Sequence, residues 1–188
     1  MLLGITKQKE IVRVSDNFNR TDSNLTMGSA QTGQNWQVDS LNHTCVFGIE
    51  SNQAKCVTLD AANRNQAIIE TKLSDFILKC SWPIATALQR IVFRQESYYS
   101  HFYLHYETGK YKLIERSGSS TNLGEYTTAQ ANGDYFMIIC RGQSIEIFIN
   151  GISRISATSA AHLTGTKHGI ECYSDLTPRW DNFIVERL

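Results

Sequence analysis

The stretch that most constrains this chain is 134–151, Asp-Tyr-Phe-Met-Ile-Ile-Cys-Arg-Gly-Gln-Ser-Ile-Glu-Ile-Phe-Ile-Asn-Gly. Gly142 and Gln143 read as a two-residue type II′ turn, because glycine takes the positive φ that the first central position requires. That turn sets the register. Phe136, Ile138 and Cys140 share one face with Ile145, Ile147 and Ile149; Tyr135, Met137, Ile139 and Arg141 share the other with Ser144, Glu146, Phe148 and Asn150. An apolar face opposite a mixed one marks an antiparallel sheet packed from one side. A slip of one residue would turn three isoleucines the wrong way. Such a hairpin needs a second sheet to cover it, which predicts a β-sandwich.

The rest of the chain supplies the partners. Strand-like runs recur at 44–50, 54–60, 66–72, 75–82, 89–94, 100–106, 110–115, 168–173 and 180–187, with turn formers between them. Spacing of roughly 8–12 residues belongs to an all-β sandwich or barrel. Pro83 and Pro178 fall at strand ends, where a missing N–H does little harm. No segment sustains a 3.6-residue period, although 84–88 and 158–163 leave room for short helical turns. Residues 1–14 read as a lead-in or linker and 15–188 as one sandwich domain, since 188 residues suit a single full core.

Charge and apolar runs narrow the partners. Eighteen basic residues balance eighteen acidic ones, which is poor equipment for a phosphate backbone, so no nucleic acid is expected. No apolar run approaches the roughly 18 residues of a membrane span. The start of the chain lacks the apolar block, roughly 7–15 residues long, of a secretion signal. Cys45, Cys56, Cys80, Cys140 and Cys172 show no metal-ligand spacing and read as buried thiols. Cys45 and Cys56 are the pair placed to bridge across a hairpin.

A second hairpin carries the candidate chemistry. Phe102, Leu104 and Tyr106 fall opposite Tyr111 and Leu113 about a Thr108-Gly109 turn, giving another apolar face. The other face collects His101, Tyr103 and His105 with Lys112, Ile114 and Arg116, and by the same parity Arg90, Val92 and Arg94. Rings, imidazoles and guanidiniums on one sheet face suit a sugar: its C–H faces stack on rings, and its hydroxyls meet forked donors. His101 and His105 do not read as a metal pair, because four residues along a strand separate them by about 13 Å.

Several motifs carry a resemblance. They are Asp16-Asn-Phe-Asn-Arg-x-Asp22, Trp36 after a Gly-rich loop, Ile91-Val-Phe-Arg94 followed by Tyr98 and Tyr99, Ile147-Phe-Ile-Asn-Gly151, and Arg179-Trp-Asp-Asn-Phe-Ile-Val185. In this order they resemble the concanavalin A-like lectin/glucanase superfamily, in particular its laminin-G-like members, over residues 14–187. The resemblance implies a two-sheet antiparallel jelly roll, often a carbohydrate-binding module, with first and last strands adjacent. It also implies a structural calcium ion, with Asp181 and Asp16 as candidate ligands among backbone carbonyls.

The carboxylate motifs of the superfamily's glucanases, Glu-x-Asp-x-x-Glu or Glu-x-Asp-x-Glu, are absent, and Glu115, Glu125, Glu146 and Glu171 stand alone. Nor is there a Gly-x-Ser-x-Gly elbow or a phosphate loop. The expected function is therefore a non-catalytic carbohydrate-binding or adhesion module. Tyr103 or Trp82 would be the stacking platform, and Arg94, His101 and His105 the hydrogen-bonding groups. Binding at one such surface is weak, so a homo-oligomer or attachment to a larger assembly would supply avidity. A bacteriophage tail or baseplate protein touching host polysaccharide fits a lectin-like chain with no signal: cytoplasmic before release, then carried on the virion. The alternatives are an assembly domain that binds no sugar and, third, a glycan hydrolase.

Overall fold

The computed structural model describes residues 13–39, 44–60 and 64–188. These form two antiparallel sheets, with no helix among the described residues. The eight-stranded sheet runs β13 (Ile152–Thr158), β12 (Ser144–Ile149), β11 (Asp134–Arg141), β6 (Phe76–Ile84), β15 (Arg179–Arg187), β4 (Gln53–Thr58), β3 (Val46–Glu50), and β1 (Arg13–Asp16) also pairs with β15. The seven-stranded sheet runs β10 (Ser119–Thr127), β9 (Lys110–Ser117), β8 (Ser100–Glu107), β7 (Gln89–Ser97), β14 (Lys167–Cys172), β5 (Asn65–Glu70), β2 (Gln37–Asp39). The expected all-β two-sheet antiparallel β-sandwich is the observed architecture.

Both hairpins have the registers their turns dictate. Phe136 faces Ile149, Ile138 faces Ile147 and Cys140 faces Ile145 about Gly142, whose φ is +51°. Tyr106 faces Tyr111 and Leu104 faces Leu113 about Thr108 and Gly109, both at positive φ. The apolar faces of both hairpins enter one core with Phe47, Phe76, Trp82, Phe93, Trp180 and Phe183. First and last strands are adjacent, with Asp16 opposite Phe183.

The strands that escaped notice in the sequence are β2, β10 and β13. β10 and β13 are sheet edges and mostly exposed, so no apolar alternation marks them. The two short stretches considered for helical turns are not helical: 84–88 leaves β6 through a turn, and 161–164 form a turn before β14. All five cysteines are buried and no disulfide joins them, so Cys45 and Cys56 are not bridged.

Two local features set up the outer face of the seven-stranded sheet. The pairing of β7 with β8 slips between Phe93 and Ser97, and Arg94 sits in that bulge at φ +49°. Its side chain turns inward and donates to the Ser74 carbonyl (2.8 Å), the Gly142 carbonyl (2.7 Å) and Asp75 (3.0 Å), which stitches the two sheets together. On β14, Gly169 leaves room for Ile68: a Cβ there would lie 2.0 Å from the Ala67 carbonyl oxygen and 2.8 Å from Ile68 Cδ1. Backbone cannot step aside cheaply, so Gly169→Ala is expected to cost about 2–3 kcal/mol in urea unfolding. A change under about 0.5 kcal/mol would mean that β5 and β14 separate freely.

Candidate functional site

Registered pairs line up in rows on the outer face. In one row Gln66 faces Glu171, Glu171 faces Arg90, Arg90 faces His105 and His105 faces Lys112. In the next, Ile68, Gly169, Val92, Tyr103 and Ile114 follow one another, and beyond them His101 faces Arg116. Ile68, Val92, Tyr103 and Ile114 form a small apolar cluster separate from the main core. The face therefore has an apolar floor strip between two polar rows.

Glu171 is the centre of the charge arrangement, at 0 % exposure. It accepts from the Arg90 guanidinium and from Gln66 Nε2 at 2.5 Å. Gln95, which the bulge places on the outer side in place of Arg94, donates to Gln66 (3.0 Å) and to Asp39 (2.9 Å). Burial alone would push the Glu171 carboxyl up; Arg90, with Gln66 and Arg64, outweighs it and holds the group below its ordinary value.

Arg90 is also sandwiched by rings, 4.5 Å from the Tyr103 centroid and 5.2 Å from that of Tyr173. Tyr103 meets His105 edge-on at 5.2 Å and lies 5.9 Å from His101. Tyr98 reaches over from the β7–β8 turn to donate to the Arg64 carbonyl at 2.9 Å, and Arg116 lies over the Tyr99 ring at 5.0 Å. Burial brings the imidazoles of His101 and His105 down to about 4, with Arg90 adding to the effect on His105. Both rings are neutral at pH 7, so each offers one donor and one acceptor.

The expected site residues divide. His101, Tyr103 and His105 lie together on this face. Trp82 does not: it is 0 % exposed, packed 4.4 Å from Phe136 in the core, because Pro83 leaves the parity of β6 unbroken. Arg94 does not either, since the bulge reverses its direction. The calcium pair separates in the same way. Asp16 is held by both guanidinium nitrogens of Arg20 at 2.8 Å, by Trp36 Nε1 at 2.8 Å and by the Phe18 amide at 2.9 Å. A cation already sits on that carboxylate, so Asp16 does not fit as a calcium ligand. Among the described residues the Asp181 carboxylate accepts only from Asn182, and burial, together with the Asp16 charge, raises it. One carboxylate is left at that corner where two were expected.

Arg90 was placed on this face by parity but not among the binding residues, and Glu171, Gln66 and Tyr173 were missed. The available signal was Glu171 itself, an acid between Ile170 and Cys172 in an apolar run. Elsewhere, Ser117 Oγ lies 3.2 Å from His162 Nε2, and His162 Nδ1 lies 3.3 Å from Glu96. That connectivity matches a hydrolytic triad. The same loop is tied down by Ser159 to Glu115 and Thr164 to Glu96, both at 2.6 Å, and the Gly118 amide is engaged by the Tyr99 carbonyl. The chain of contacts works as a pin for loop 159–166.

No sequence family profile matches the chain, and no curated protein does. Solved structures match in shape. A Bacillus subtilis protein described as having a galectin-like fold superposes with a TM-score of 0.62 at 12% identity, over 81% of this chain and 89% of that one. Domain 4 of AbnA, an extracellular arabinanase from Geobacillus stearothermophilus solved with arabinotriose, gives 0.59 at 10% identity, over 94% and 92%. The carbohydrate-binding module CBM66 of Bacillus subtilis gives 0.57 at 13% identity, over 81% and 91%. The fold is a galectin-like, concanavalin A-like jelly roll. At these identities the likeness concerns the fold alone.

Proposed function

We propose that this domain is a non-catalytic carbohydrate-binding module whose glycan lies on the outer face of the seven-stranded sheet. The observation that carries the proposal is the fixed cluster of Arg90, Tyr103 and His105 across two neighbouring rows, with Arg90 held in place by buried Glu171 and sandwiched by tyrosines. Tyr103 is only 4 % exposed and carries Arg90 on its ring, so half-buried Tyr173 and exposed Tyr99 are the rings left for C–H stacking, while the guanidinium and neutral imidazoles offer directed hydrogen bonds. Pre-ordering these side chains lowers the entropy lost on binding. The shape shared with CBM66 and with domain 4 of AbnA supports the reading by analogy. Absence of catalysis belongs to the proposal: retaining hydrolysis uses two carboxyls about 5–5.5 Å apart, whereas the side chains hydrogen-bonded to Glu171 are Arg90 and Gln66.

A glycan array with the folded domain tests this, and signal on at least one glycan class is expected. Tyr103→Ala should weaken that binding about tenfold, read by calorimetry beside a melting curve that confirms folding. Uniform silence of the array would overturn the reading and, with self-association in ultracentrifugation, favour an assembly domain.

The finer part of the proposal is adhesion in many copies, on a particle such as a phage tail or baseplate. The weak binding expected of a single such surface supports it, because avidity then requires linked copies. Five buried cysteines without a disulfide are also compatible with assembly in a reducing compartment. Antibody against the domain should decorate intact particles in electron micrographs, and undecorated particles would end this part.

A further inference from the structure

Two arginines on the outer face carry buried donors that its carboxylates do not meet. Arg90 is matched by Glu171, and Lys112 by Glu107 at 2.6 Å. Asp39, at the far edge, is engaged by Gln95. Arg116 is only 8 % exposed, and among the described residues it makes no ion pair and its Nε has no hydrogen-bond partner. The Arg64 Nη1 atom is buried and unpartnered as well. His101, opposite Arg116, has neither ring nitrogen in a hydrogen bond of normal geometry. A buried guanidinium N–H without an acceptor is costly, and native proteins rarely leave one so. Arg116 stacks on Tyr99, which is 41 % exposed at the rim.

Resting on the glycan-binding reading above, we infer that the ligand is an acidic polysaccharide whose anionic substituent is received by Arg116 and Arg64 beside Tyr99. The neutral part of the sugar then lies along the Tyr103–Arg90 cluster. The two guanidiniums act on each other and on His101 through space, and the Glu171 carboxylate, which Arg90 already engages, acts on Arg116 and His101 as well, which places all of them within one electrostatic neighbourhood. Planar N–H forks match a carboxylate, a sulfate ester or a phosphodiester equally, so the shared chemistry is an oxyanion carried on a sugar. A neutral glycan would leave both arginines as they are in the free protein.

The test measures affinity at fixed ionic strength for a polyuronate, a sulfated dextran and a teichoic acid, beside uncharged dextran and laminarin. At least one acidic polymer should bind about tenfold more tightly than the neutral ones, and which one identifies the oxyanion. Arg116→Gln should remove that advantage. Because it deletes an unpaired buried charge, the same change should leave the ligand-free melting temperature equal or higher, which separates a binding role from a structural one. Arg64→Gln, at a half-buried position, gives a second variant with the same expected loss. Neutral polymers binding as tightly as acidic ones, or an Arg116→Gln protein that keeps its acidic preference, would overturn this inference and leave the glycan reading intact. Silence towards every polymer would overturn both.

Discussion

Glu171→Ala is expected to destabilise the domain by about 3–5 kcal/mol, measured by urea unfolding, the largest effect of any single change on the outer face. The cause is what remains rather than what leaves. Arg90 keeps its charge in a nearly closed position between Tyr103 and Tyr173, and Gln66 Nε2 loses its acceptor. Replacing both partners by apolar residues of similar size, Arg90→Met with Glu171→Leu, should recover most of that loss or exceed wild type, since a buried pair need not be net stabilising. That double variant should nevertheless bind no glycan. If Glu171→Ala cost under about 1 kcal/mol, water would have to reach Arg90 freely, and the description of the face as a fixed array would fail.

How far this was legible in the sequence follows from periodicity. Hairpins with a glycine turn and strict alternation were readable to the residue, because each turn type permits one register and each register one buried face. Edge strands β10 and β13 were not, because an exposed edge has no apolar alternation to show. The site was half legible for the same reason. His101, Tyr103 and His105 follow from parity within β8. Arg94 does not, since a bulge changes parity without any glycine or proline to announce it. Trp82 went to the core by the parity of Phe76, Leu78 and Cys80, which Pro83 did not disturb. Glu171 meets Gln66 and Arg90 only after three strands distant in sequence are brought side by side, and no local pattern encodes that.

Arg94 then carries the second large expectation. Arg94→Ala should cost about 3 kcal/mol, because the Ser74 and Gly142 carbonyls lose their donor and Asp75 its cation. Alanine also inherits a φ of +49°, a region that favours glycine. Arg94→Gly should therefore be less damaging than Arg94→Ala by about 1 kcal/mol, although it loses the same contacts. The loss belongs to the joint between sheets: Arg94 reaches from the β7 bulge to the Gly142 turn, so the β11–β12 hairpin is anchored from the opposite sheet. Amides of 141–144 should exchange faster in either variant, while those of β8 and β9 keep their protection. Below their lowered melting temperatures both variants should bind glycan as wild type does, because the side chain points away from the outer face. A folded Arg94→Gly protein with glycan affinity reduced tenfold would instead place Arg94 among the ligand-binding residues.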